Sequence, residues 1–91
     1  MSEPQHIVAP EDVAVIVRRL SRAQGQIGGI VRMLEDGRSC EDVVTQMTAV
    51  GRALDRAGFA VIASTLRQCL EDPDRADIDI DRLERLFLSL A

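Results

Sequence analysis

The sequence predicts an all-α protein, and three observations carry that prediction. Apolar residues recur every three or four positions along most of the chain, no segment alternates apolar and polar residues as a strand would, and no proline interrupts the periodic runs. Neither an internal repeat nor a low-complexity run is present. A chain of 91 residues is read as one domain over 1–91, with residues 1–10 as a flexible tail. A domain this small buries little of its own surface, so self-association is expected.

The first helix is predicted over about residues 11–36. Pro10 with Glu11 and Asp12 makes a helix start, Val13, Ile16, Val17, Leu20, Ile27, Ile30, Val31 and Leu34 give the periodic face, and Gly37 supplies the stop. Gly25, Gly28 and Gly29 inside it each cost about 1 kcal/mol relative to alanine, which suggests close backbone packing. The second helix is predicted over about residues 39–71. Ser39 is its cap, with Asp42 three residues on as in a capping box, and no proline intervenes before Pro73. A break and hairpin at Gly51 or Gly58 is the weaker alternative, because "GRALDRAGF" holds no other turn residues. After the linker "EDPDRAD", a short third helix carries Ile80, Leu83, Phe87 and Leu90, with Asp77 or Asp79 as its cap.

The net charge of −4 hides an uneven distribution. Residues 13–34 hold Arg18, Arg19, Arg22 and Arg32 with no acid, and residues 43–70 hold Arg52, Arg56 and Arg67 against Asp55 alone. The acids gather at the ends of these segments and in the tail. Every basic residue is arginine, whose planar fork suits phosphates and base edges. On the first helix Arg18, Arg22 and Arg32 lie within about 80° of one another, and on the second Arg52, Arg56 and Arg67 within about 60°. These stripes predict a nucleic-acid-binding face; Gln24 and Gln26 beside them could add polar contacts, but solvated surface is the role more expected of them. With no apolar run of membrane length and no signal-like N-terminus, the chain is expected in the cytosol with no membrane partner.

In a reducing compartment, two cysteines suggest a redox or metal device more than a structural staple. Cys40, Val44, Met47, Gly51, Leu54, Gly58, Val61, Thr65 and Cys69 step by threes and fours, which is the spacing of a coiled-coil seam. Cys40, Thr65 and Cys69 fall within about 20° of a common direction, yet the thiols stand about 44 Å apart on an unbroken helix. They can meet only between chains. An antiparallel pair of such helices places Cys40 of one chain opposite Thr65 and Cys69 of the other, twice over, about a centre near Gly51, Leu54 and Gly58. The first helices then cover the pair to make a four-helix bundle.

The segment "RLSRAQGQIGGIVRMLEDGRSCEDVVTQMTAVGRALDRAGFAVIASTLRQCL" resembles the CsoR/RcnR family of bacterial metal- and thiol-responsive repressors over about residues 13–70. That resemblance implies a disc-shaped homotetramer, a dimer of antiparallel four-helix-bundle dimers, which binds operator DNA and is not an enzyme. It implies DNA contacts at Arg19 and Arg56, to which the charge stripes add Arg18, Arg22 and Arg52. Copper-sensing members hold Cu(I) through residues matching Cys40, Thr65 and Cys69, the middle one being histidine. Here threonine offers a soft metal a poor ligand. A tyrosine before the first cysteine and a glutamate in the last helix look replaced by Ser39 and Arg85.

Two cysteines without that nitrogen resemble the persulfide-sensing branch, CstR. The resemblance therefore implies a redox pair, Cys40 and Cys69, in a pocket with Thr65 and Ser39, answering persulfide or polysulfide donors without a cofactor. Cys40 in the first helical turn faces the positive end of the helix dipole and is the expected attacking thiolate, although Glu41 and Asp42 oppose this. Cu(I) held by Cys40 and Cys69, alone or with His6, is the alternative effector. A thiol–disulfide enzyme is disfavoured by the lack of a C-x-x-C motif, and a purely structural helical module is the third reading. Met33 and Met47 are expected to pack rather than to bind metal.

Overall fold

The computed structural model describes residues 7–75 and 78–91, which form three α-helices and no strand: α1 (Pro10–Glu35), α2 (Cys40–Glu71) and α3 (Ile80–Leu90). His6, residues 1–6 of the expected tail, and Asp77, the alternative cap of α3, lie outside the described residues. Ala9 caps α1 without a side-chain bond; Pro10 follows with no N–H to satisfy, and Asp12 and Val13 donate their N–H groups to the Ala9 carbonyl. The helix ends in a Schellman turn. Gly37 takes φ +73°, and the N–H groups of Gly37 and Arg38 return to the carbonyls of Leu34 and Met33. Ser39 Oγ then accepts the Asp42 N–H at 3.2 Å and opens α2. The Asp42 carboxylate, which in a capping box would accept the Ser39 backbone N–H, pairs with Arg38 at 3.3 Å.

α2 runs unbroken through Gly51 and Gly58 for 32 residues, so no hairpin interrupts it. Against it α1 lies antiparallel. Ile16, Ala23 and Ile30 recur every seven residues on α1, facing Val43, Val50, Ala57 and Ser64, which recur every seven on α2. Ile30, Val43 and Val50 form the apolar centre, with Met33 packed against it. α3 folds back over the second half of α2, where the Phe59 and Phe87 rings meet edge to face at 5.1 Å.

Two expectations about packing change. Nothing lies within 4 Å of where side chains at Gly25 and Gly51 would begin, and Gly28 and Gly29 meet only Arg32 of their own helix. The helix-one glycines therefore do not mark a close approach within the chain. Gly58, by contrast, is already filled: a Cβ there would stand 2.8 Å from Leu90 Cδ1, so α3 occupies part of the seam drawn through Gly58.

The first half of the seam, from Val44 to Leu54, and the matching face of α1 stay open, whereas Thr65 and Cys69 at its far end are buried within the chain. Val44, Met47 and Leu54 are 44–55% exposed, as are Leu20, Ile27 and Val31 to a similar degree, so Met47 is only partly covered by its own chain. Among the described residues no helix is long and apolar enough to cross a membrane.

Candidate functional site

Both thiols are free, and α2 sets them at its two ends. Cys40, the first helical residue, is exposed, while Cys69, two residues before the helix stops, is 8% exposed. One rod carries both on one side, at about 44 Å from each other by helical rise, so a single chain does not bring them together. Ser39 stays with Cys40 as the cap, and Thr65 sits one turn before Cys69, so the expected pocket is likewise split between the ends of α2. Arg85 is exposed on α3. Among the described residues no three of His, Cys, Asp and Glu gather into a metal-binding cluster.

Thr65 is buried, and its Oγ1 donates to the Val61 carbonyl at 2.9 Å. Such a bond to the preceding turn is the ordinary way for a helix to satisfy a buried hydroxyl. Its neighbour Ser64, fully buried, accepts the Ala9 N–H at 2.9 Å. After Cys69 the chain turns back, and Arg75 donates to Gln68 Oε1 at 3.1 Å. The last two turns of α2 are thus held both by the start of α1 and by the linker.

The arginines separate into two groups. Arg19 and Arg22 of α1 face Arg56 of α2 across a groove of about 750 Å³, with Gln26 on its wall, Phe59 among its lining residues, and Ala49, Ala53, Ala60 and Ala63 as its floor. Small floor residues let the guanidinium groups stand around a concave surface open to solvent. Such a site can hold a strand of phosphates. Arg18 and Arg52 are exposed but outside that groove, and Gln24 is outside it as well. Two members of the expected stripes are drawn elsewhere: Arg67 pairs with Asp12, and Arg32 lies along its own helix beside Gly28 and Gly29. The alanine floor, Ser64 and the Asp12–Arg67 pair are features that the sequence pattern does not single out. The alanines carry a detectable signal, steps of four, seven and three residues along one face of α2, but periodicity alone does not say which neighbour a face meets.

Residues 12–89 match the family described as metal-sensitive transcriptional repressor. Among curated proteins, the chain is 40% identical over 53 residues to the copper-sensing transcriptional repressor RicR of Mycobacterium tuberculosis, covering 58% of this chain and 55% of that protein. It is equally similar over 53 residues to the copper-sensing transcriptional repressor CsoR of Mycobacterium ulcerans, covering 58% and 45%. The CsoR of Bacillus subtilis is 33% identical over 57 residues, covering 63% and 56%. The chain spans about half the length of the curated relatives it matches. No solved structure matches it. These relatives carry the name of copper sensors rather than of persulfide sensors, so the likeness extends to the repressor family and not to a persulfide-sensing branch. With the family match running from the first turn of α1 to the end of α3, the chain belongs to the metal-sensitive transcriptional repressors.

Proposed function

We propose that this chain is a subunit of a DNA-binding repressor whose grip on its operator depends on what joins Cys40 of one chain to Cys69 of another. The observation that carries the reading is the placement of two free thiols at opposite ends of one unbroken helix, beside an apolar face left open. Head-to-tail pairing of two α2 helices covers that face and builds two identical sites. Two such dimers would form the tetramer, with Arg19, Arg22 and Arg56 of each groove, and Arg18 and Arg52 beside them, turned to the operator phosphates.

Cu(I) is the effector that the relatives' names support. The donor set fits it in reduced form: two thiolates suit a soft monovalent ion, while the Thr65 hydroxyl is hard and engaged with Val61. Cys40 and the other chain's Cys69 would hold the ion between them, and bridging two chains would shift α2 against its neighbour.

A second reading, a sulfane-sulfur sensor, is favoured by that same threonine and by the exposure of Cys40. The Cys40 thiolate attacks a persulfide donor, takes its outer sulfur and expels the donor's thiolate. Cys69 of the other chain then attacks Cys40 Sγ and expels hydrosulfide, leaving a disulfide; a polysulfide donor leaves a longer bridge. The thiol pair is oxidised by two electrons and the donor is reduced.

Operator binding by the reduced full-length protein, repeated with Cu(I) under a competing chelator and with an organic tetrasulfide, separates the two. Release by Cu(I) alone supports the first reading. Release by tetrasulfide alone, with a Cys40–Cys69 inter-chain link in non-reduced mass spectra, supports the second. Release by neither overturns the function.

A further inference from the structure

Two contacts tie the start of α1 to the last third of α2. The Ala9 N–H donates to Ser64 Oγ across 55 positions of sequence, and Ser64 has no exposed surface. One turn further along α1, Asp12 Oδ2 accepts from Arg67 Nη2. Ser64 and Arg67 flank Thr65 and precede Cys69, so both anchors share the turns that carry half of the proposed effector site. On the other side, Asp12 lines a depression with Arg19, Ala60, Ala63 and Arg67, and this depression continues through Arg19, Ala60 and Ala63 into the groove that holds Arg22 and Arg56. Among the described residues, Asp12 is the only carboxylate on the wall of either.

Energy is not what the Asp12–Arg67 contact chiefly supplies. Arg67 is 61% exposed, and an ion pair in that setting adds little stability. What the two contacts share is geometric: packed helices shift as stiff bodies between discrete arrangements. A displacement of α2 at Cys69 carries Ser64 and Arg67 with it, and the first turn of α1 must follow or let go. When the first turn of α1 follows the last turns of α2, Arg19 and Arg22 move relative to Arg56, which lies about two turns nearer the middle of α2. Loss of Arg67 also leaves the Asp12 charge uncompensated in the depression that adjoins the arginine groove.

We infer that Asp12, Arg67, Ser64 and the Ala9 N–H are the positioning contacts that couple the thiol site to the arginine groove. The inference rests on the repressor reading above. Full-length Asp12→Asn, Arg67→Gln and the conservative Arg67→Lys are compared with the parent in two measurements. The first is the ratio of operator affinity without and with effector, using Cu(I) and the organic tetrasulfide separately, alongside uptake of each effector. The second, which needs no DNA, is amide hydrogen exchange of residues 9–13 before and after loading.

In the parent, loading lowers operator affinity by about fivefold or more and changes exchange at residues 9–13. In Asp12→Asn and Arg67→Gln the ratio falls toward one while effector uptake is retained, and Arg67→Lys keeps the parent's ratio. If the parent responds and the two neutral variants respond equally, or if exchange at residues 9–13 ignores loading, the coupling is wrong and the repressor reading stands. If the parent takes up effector without releasing DNA, the repressor reading fails, and the exchange measurement alone decides the coupling. A parent that takes up neither effector overturns both.

Discussion

Thr65 is the residue on which the choice of effector turns. Its hydroxyl is satisfied by Val61 within the helix, so removing it takes nothing from a two-thiolate site. Thr65→Val should leave the response to effector within about twofold of the parent, whereas Thr65→His should tighten Cu(I) binding by at least about tenfold, by analogy with the sensitivity of metal sites to their surrounding groups. Chelator competition measures both. Ser64, one residue earlier, has a different task. Ser64→Ala strands the Ala9 N–H and should cost about 1–3 kcal/mol, read as a fall in Tm. Thr65 was legible in the sequence because it shares a direction with the thiols. Ser64 was not, because its partner is a backbone group 55 positions away, and no spacing announces such a bond.

At the scale of helices, boundaries were legible because the signals that set them are local. Pro10, Gly37, Ser39 and Asp79 sit beside the ends they determine. Gly37→Ala should cost about 1–2 kcal/mol because its φ of +73° is left-handed. What lies across a helix was less legible. Direction along one helix placed Arg67 with Arg52 and Arg56, but Asp12 on the neighbouring helix claims it. Direction likewise gave Gly51 and Gly58 the same role, whereas the structure divides them. Gly51→Ala should raise helix stability by up to about 1 kcal/mol in the separate chain and weaken association if a second α2 passes there. Gly58→Ala meets the flexible tip of Leu90, so α2 should keep its stability while amide exchange quickens in residues 86–90.

The described residues reach 54 Å in their longest dimension and enclose a core of two layers, which leaves large apolar side chains uncovered along α1 and α2. A dimer or larger assembly in sedimentation is the expected remedy. If the assembled grooves hold phosphates, the logarithm of operator affinity should fall linearly with that of salt, and Arg56→Ala should reduce the slope by about one. A slope unchanged by that substitution would place the DNA elsewhere.

The length of α2 has a genetic corollary. When each sensing site draws one thiol from each of two chains, a subunit lacking both spoils every site of any pair it enters. Cells carrying parental and doubly serine-substituted copies should therefore show the substituted allele as dominant for non-inducible repression. Two singly substituted alleles, Cys40→Ser and Cys69→Ser, should complement each other in part, because their mixed pair retains one intact site of two.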